Sequence, residues 1–191
     1  MEEPSNGFHP DLLLREMPSA GIGWLFLGAF LYGSPGLGER FVSLFLFSGF
    51  LLFLSAIDIR LGMIFNRFLL PMACTGLVLD LAGRQIPPLD GCLAALAGGS
   101  LLLLIRCASR GGMGGGDVKL GAVLGIWLGL HGLAVALFLA FLFGAAVGLL
   151  LMLCRRTTRL RIPFGPFLSL GAWLSSLYGN EWLRLYEAVL L

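Results

Sequence analysis

From Leu120 to Cys154 the chain runs for 35 residues without an Asp, Glu, Lys or Arg. A water-soluble domain cannot bury a stretch of that length on all sides, whereas a helix needs only about 20 apolar residues to cross the hydrocarbon of a bilayer. The stretch is too long for one crossing and long enough for two, with Gly129-Leu130-His131-Gly132 as the turn between them. Similar runs recur elsewhere. Residues 17–38 are uncharged, Phe41 to Ile57 ends at Asp58, a shorter run begins near Asn66 and ends at Leu79, and two more cover Gly91 to Ile105 and Pro163 to Tyr178. Charged residues make up only 13% of the chain, about half the share of a soluble domain. The expected fold is therefore all-α: a polytopic membrane helical bundle of six to seven transmembrane helices, with a cytoplasmic N-terminal segment, 1–16, ahead of a single membrane-embedded domain, 17–191.

The basic residues orient this bundle, because short loops rich in Lys and Arg stay on the cytoplasmic side. Arg15, Arg60, Arg67, Arg106, Arg110, Lys119, Arg155, Arg156, Arg159 and Arg161 fall on one side, against Arg40, Arg84 and Arg184 on the other. The first side is the expected cytoplasmic face. A net charge of +2 gives no basis for a nucleic-acid partner; the expected partner is the lipid bilayer. The acidic start, "MEEPSNGFHPDLLLREM", lacks the basic region and apolar core of a cleavable signal peptide. Cys74, Cys92, Cys107 and Cys154 form no CxxC pair, and His9 and His131 are far apart, so neither a metal centre nor a disulfide framework is expected, and no cofactor.

The same orientation sorts the acids. Asp58 and Asp117 both fall at the cytoplasmic ends of spans, whereas Asp80 and Asp90 fall at the opposite ends. A charged side chain at membrane depth costs roughly 2.5–3.5 kcal/mol, so acids placed there point to function. Two carboxylates held together cannot both ionise easily: one takes a proton from water while the other donates to a peptide carbonyl, which is aspartic proteolysis. Around Asp117 the chain reads "RGGMGGGDVKL", with glycine at five of the six positions from 111 to 116. Glycine lets an extended peptide approach the acid without obstruction. The plainer account of the segment is a connector whose Asp caps a helix. A phosphate loop does not fit, because GxxxxGK[ST] is missing.

Three segments in order carry a family likeness. "GGGDVKL" resembles the GxGD-x-K signature of type IV prepilin peptidases, which are membrane aspartyl proteases; "AIDIRLGMIFNRF" resembles their first aspartate segment; and "RIPFGPFLSLGAW" resembles their Ile-Pro-Phe-Gly-Pro-Phe segment. The resemblance covers about residues 41–178. It implies that Asp58 and Asp117 are the catalytic pair and that Gly114 and Gly116 shape the loop. Lys119 and Asn66 would support the site, and the Pro163-Phe164-Gly165-Pro166 turn would pack beside it. Phe65 stands where the family has Pro. The implied substrate is a prepilin or pseudopilin with a short basic leader ending in Gly ahead of an apolar helix, cut at the cytoplasmic face of the inner membrane. Many members carry paired CxxC motifs linked to zinc and N-methylation; this chain has none, so peptidase activity alone is expected. Two rivals remain. A presenilin-like GxGD protease would carry Pro-Ala-Leu where this chain has Pro-Phe-Gly-Pro; a non-catalytic assembly or transport subunit would use the two acids for ion binding or structure.

Overall fold

The computed structural model describes residues 41–81, 86–109, 112–155 and 163–190. Within them the chain is helical: α1 Phe41–Leu61, α2 Asn66–Leu81, α3 Pro88–Ala108, α4 Gly115–Arg155 and α5 Gly165–Leu190. The expected N-terminal segment, the span at 17–38 and most of the Arg155–Arg161 cluster lie outside the described residues. Three helices, α1, α3 and α4, are long and apolar enough to cross a membrane, which fits a membrane protein. The expected count of six to seven spans is met only in part. α2 has 16 residues with Pro71 inside, and α5 runs past the expected end at Tyr178 to Leu190.

The 40-residue apolar stretch of α4 is two helical arms joined at Gly129, whose φ of 66° and ψ of −179° are not helical. The break comes where the glycine-flanked turn was expected. That backbone region is open essentially to glycine alone. A Cβ at Gly129 would also strike the Asp90 carboxylate, which sits against it because Asp90 Oδ2 accepts the Leu130 amide at 3.3 Å. An acid in the first turn of α3 thus serves the first free N–H of the second arm. Gly129→Ala is expected to cost about 1–3 kcal/mol from the backbone alone, read as a lower midpoint of thermal unfolding in detergent.

The arms run in opposite directions, as their neighbours show. Along the first arm Gly121 meets Leu102 and Gly98, Gly125 meets Ala94 and Ala95, and Gly129 meets Asp90, so this arm lies antiparallel to α3. Gly98 is so close that a Cβ there would lie 2.8 Å from the Gly121 carbonyl oxygen, the near approach that small residues permit in membranes. Along the second arm Ser175 Oγ of α5 donates to the Gly132 carbonyl, Gly171 packs on Ala136, and Phe164 meets Phe141 with ring centroids 5.2 Å apart. That order makes α5 antiparallel to the second arm.

The core fills the space between these helices with Phe47, Leu51, Leu54, Met72, Leu102, Leu124 and Leu168. Trp127 ties three elements together. Its ring stacks on Phe47 of α1 at 4.8 Å, and its Nε1 donates to the Met72 carbonyl of α2 at 2.9 Å. Leu and Val side chains point outward over much of the surface, as lipid contact requires.

Candidate active site

Asp58 lies in the last turn of α1, three residues before the helix ends. Gly62, with φ of 61°, stops the helix, and its amide donates back to the Asp58 carbonyl at 2.8 Å. This is a left-handed cap, in which the residue after the helix satisfies one of the last free carbonyls. The chain then turns through residues 62–65 and starts α2 at Asn66. The Asp58 side chain is 4% exposed. A carboxylate at a helix C-terminus faces the negative end of its own dipole. Here the start of another helix offsets it: the Gly165 amide, at the N-terminus of α5, donates to Asp58 Oδ2 at 2.9 Å.

Asp117 belongs to the first turn of α4 and is 7% exposed. Its Oδ2 accepts the Gly114 amide at 3.2 Å, so the acid reaches back to the residue just before the helix. That is one half of a capping box. Asp117 thus caps the helix from its third position, and the same helix start packs against the turn that follows Asp58. Each carboxylate has its Oδ2 engaged by a backbone amide from a helix start.

The loop positions explain how the two segments meet. A Cβ at Gly116 would lie 2.7 Å from Ile64 Cβ, 3.1 Å from Ile64 O and 3.2 Å from Ile64 N. Only a residue without a side chain lets the turn after α1 press so closely on the start of α4. Two places beyond Asp117, Lys119 Nζ donates to Asn66 Oδ1 at 2.8 Å, joining residues 53 positions apart. The structure thus brings together all six residues singled out in the sequence: Asp58, Asn66, Gly114, Gly116, Asp117 and Lys119. Arg106, at the end of α3, packs its guanidinium against Gly115. Gly165 was expected only beside the site; its amide bond to Asp58 had no sequence signal beyond the Pro-Phe-Gly-Pro segment that contains it.

Burial alone does not select these acids, since Asp80 is also only 6% exposed. It sits at the far end, next to Gly91, away from the pair. Among the described residues no three His, Cys, Asp or Glu side chains gather as a metal site would require. The four cysteines are exposed on α2, α3 and α4.

Residues 45–149 match the model of the type IV leader peptidase family. The chain belongs to that family. Curated relatives in this peptidase family agree. A prepilin leader peptidase/N-methyltransferase of Aeromonas salmonicida (strain A449) is 34% identical over 164 residues, covering 83% of this chain and 56% of the relative. One with the same name from Bacillus subtilis (strain 168) is 37% identical over 148 residues, covering 73% and 57%, and one from Escherichia coli (strain K12) is 33% identical over 138 residues, covering 70% and 61%. The chain thus spans little more than half the length of the first of these type IV leader peptidase relatives. No solved structure matches it.

Proposed function

We propose that the chain is an aspartic endopeptidase that removes the short leader from type IV prepilins or pseudopilins. The observation that carries this reading is the convergence of the segments bearing two buried acids, Asp58 and Asp117: Gly116 presses on Ile64 and Lys119 bonds Asn66, in a chain of the leader peptidase family. The ionised member of the pair takes a proton from a water molecule as that water attacks the scissile carbonyl. The protonated member gives its proton to the carbonyl oxygen, and collapse of the tetrahedral intermediate sends a proton to the departing amine. The pair titrates as a unit. The backbone amides of Gly165 and Gly114 hold one oxygen of each acid, so both carboxylates enter the reaction already oriented.

The site faces the cytoplasm of the inner membrane in this reading. The described Arg60 and Lys119 lie on the helix ends that carry the two acids, and Arg67 and Arg106 on the neighbouring ends of α2 and α3, as basic residues do on the cytoplasmic side. A substrate helix in the bilayer then presents its leader junction at the depth of Asp58 and Asp117. The activity proposed is peptidase alone, because the sequence has no CxxC motif of the kind the resemblance links to methyl transfer.

Co-expression with a reporter bearing a basic leader ending in Gly, ahead of an apolar helix, tests the reading. Leader removal seen as a mobility shift supports it; an uncut reporter and uncut prepilins at wild-type expression remove it. Labelling of single cysteines at 62 and 113 from the cytoplasmic side tests the orientation, and labelling from the opposite side only would reverse it.

The Lys119–Asn66 bond gives a further prediction. A single hydrogen bond contributes roughly 0.5–1.5 kcal/mol, so Lys119→Met and Asn66→Ala are each expected to lower cleavage about 2- to 10-fold. The double variant is expected to lose little more than either single one, since both remove the same link. Additive losses in that cycle would show that the two side chains act separately.

A further inference from the structure

Ser169 of α5 is buried, with 6% of the residue exposed, and its Oγ makes no hydrogen bond to another described group. Four other helical hydroxyls bond back to their own helix, Ser48 to the Phe45 carbonyl, Thr75 to Pro71, Ser100 to Ala97 and Ser176 to Trp173, and Ser175 reaches across to Gly132. A buried hydroxyl without a partner is destabilising, so its placement calls for an explanation.

The helix geometry supplies one. Ser169 follows Gly165 by four positions, so both lie on one face of α5. At Gly165 that face is pressed on Asp58: the amide donates to Oδ2, and a Cβ there would lie 2.9 Å from Asp58 Cγ. Phe164, Gly171 and Ser175 contact the second arm of α4 instead, which turns the Gly165–Ser169 face toward α1. Because α1 ends near Asp58 where α5 begins, the two helices run antiparallel, and Ser169 lies about one turn further into the bundle than Gly165. The Cα–Cβ bond of a helical residue tilts toward the N-terminus, so the Ser169 hydroxyl leans back toward Asp58. Four residues of helix rise about 6 Å. Ser169 Oγ makes no direct bond to the carboxylate, and a separation on the order of one helical turn is one that a single water spans with two ordinary hydrogen bonds.

We infer that Ser169 is a positioning residue for the proposed reaction, holding the Asp58 carboxylate through one bound water while the Gly165 amide holds it from the helix start. The inference rests on the reading of Asp58 as one of the reacting pair. Two tethers from a single helix fix the rotation of the carboxyl group about its last bond. Without the lower tether the group turns away from the scissile carbonyl for part of the time. Substrate does not touch Ser169, so the loss falls on turnover rather than on binding.

The test uses the purified full chain in detergent and a synthetic peptide with a basic leader ending in Gly followed by an apolar helix. Ser169→Ala is expected to lower kcat about 10-fold with KM unchanged within about twofold, and to displace the acidic limb of the pH–kcat profile. Ser169→Thr, which keeps the hydroxyl, is expected to recover most of that loss. A Ser169→Ala chain with wild-type kcat and pH profile overturns the inference. A second readout needs no activity: isotope-edited infrared difference spectra against Asp58→Asn isolate the Asp58 carboxyl band, and Ser169→Ala is expected to move it. An unmoved band overturns the inference, as does a Ser169→Ala chain that melts at a higher temperature with the band in place. Should Asp58→Asn still cleave the peptide, the aspartate mechanism fails while the band still reports on the tether, so the two failures are told apart.

Discussion

Asp58→Asn and Asp117→Asn are each expected to abolish leader removal, with a loss on the order of 10,000-fold or more, as when a central group of a catalytic unit is removed. Asparagine is the informative replacement. Its side-chain oxygen still accepts the Gly165 amide at position 58 or the Gly114 amide at position 117, so the local caps survive. What disappears is the ability to carry a proton. Asp80→Asn serves as the control, because Asp80 is just as buried but lies at the other end of the bundle. It is expected to cleave at the wild-type rate per folded molecule, measured by reporter processing against the amount of protein in a monodisperse detergent peak. Equal activity in all three variants removes the mechanism. Loss in all three points to folding, and the monodisperse fraction shows which.

The second large effect is expected at Gly116. Alanine there brings a methyl group to 2.7 Å from Ile64 Cβ and 3.1 Å from the Ile64 carbonyl oxygen. The nearest atoms are backbone or bonded directly to it, so no flexible side chain can swing aside. The start of α4 must back away from the turn that follows α1, and Asp117 moves with it. A misplacement of about 1 Å at a reacting group costs on the order of 100-fold in rate. Gly116→Ala is therefore expected to lose cleavage about 100-fold while remaining folded, because the rest of α4 is held by α3 and α5. Gly112→Ala, in the same loop, meets only Ser109 at 3.3 Å and is expected to stay within about twofold of wild type. Similar losses at both positions would mean that the loop needs general flexibility rather than one close approach.

Much of the candidate site was legible because acids and clustered glycines are conspicuous in a chain this apolar. Asp58 and Asp117 stand out as acids at the ends of apolar runs, and the glycines before Asp117 mark a loop that must be approached closely. The break in α4 was legible for a similar reason: 35 uncharged residues exceed one crossing, and Gly129 begins the only suitable turn. Helix ends were less legible. Hydropathy locates the apolar part of a helix, whereas hydrogen bonding decides its length, so α5 continues through Glu181 and Arg184 to Leu190. Pro71 shows the reverse limit: it interrupts the pattern of α2 without ending it.

Three contacts were not legible as pairings: the Gly165 amide on Asp58, the Asn66–Lys119 bond and the Asp90 cap on Leu130. Each uses a backbone N–H or a polar side chain whose partner is chosen by the packing of distant helices. Composition and spacing carry no record of which helix start will face which acid. Only the Ile-Pro-Phe-Gly-Pro-Phe likeness hinted that residues near 165 lie close to the site.

The Gly165–Asp58 bond spans 107 positions of sequence, and this has a consequence for biosynthesis. Ribosomes deliver the polypeptide from its amino end, so Asp58 and Asp117 are both inserted before the tether at position 165 exists. A nascent molecule halted after α4 holds both acids but lacks the amide that steadies one of them. In the proposed mechanism, Asp58 is therefore steadied only late in translation, once α5 has docked against it.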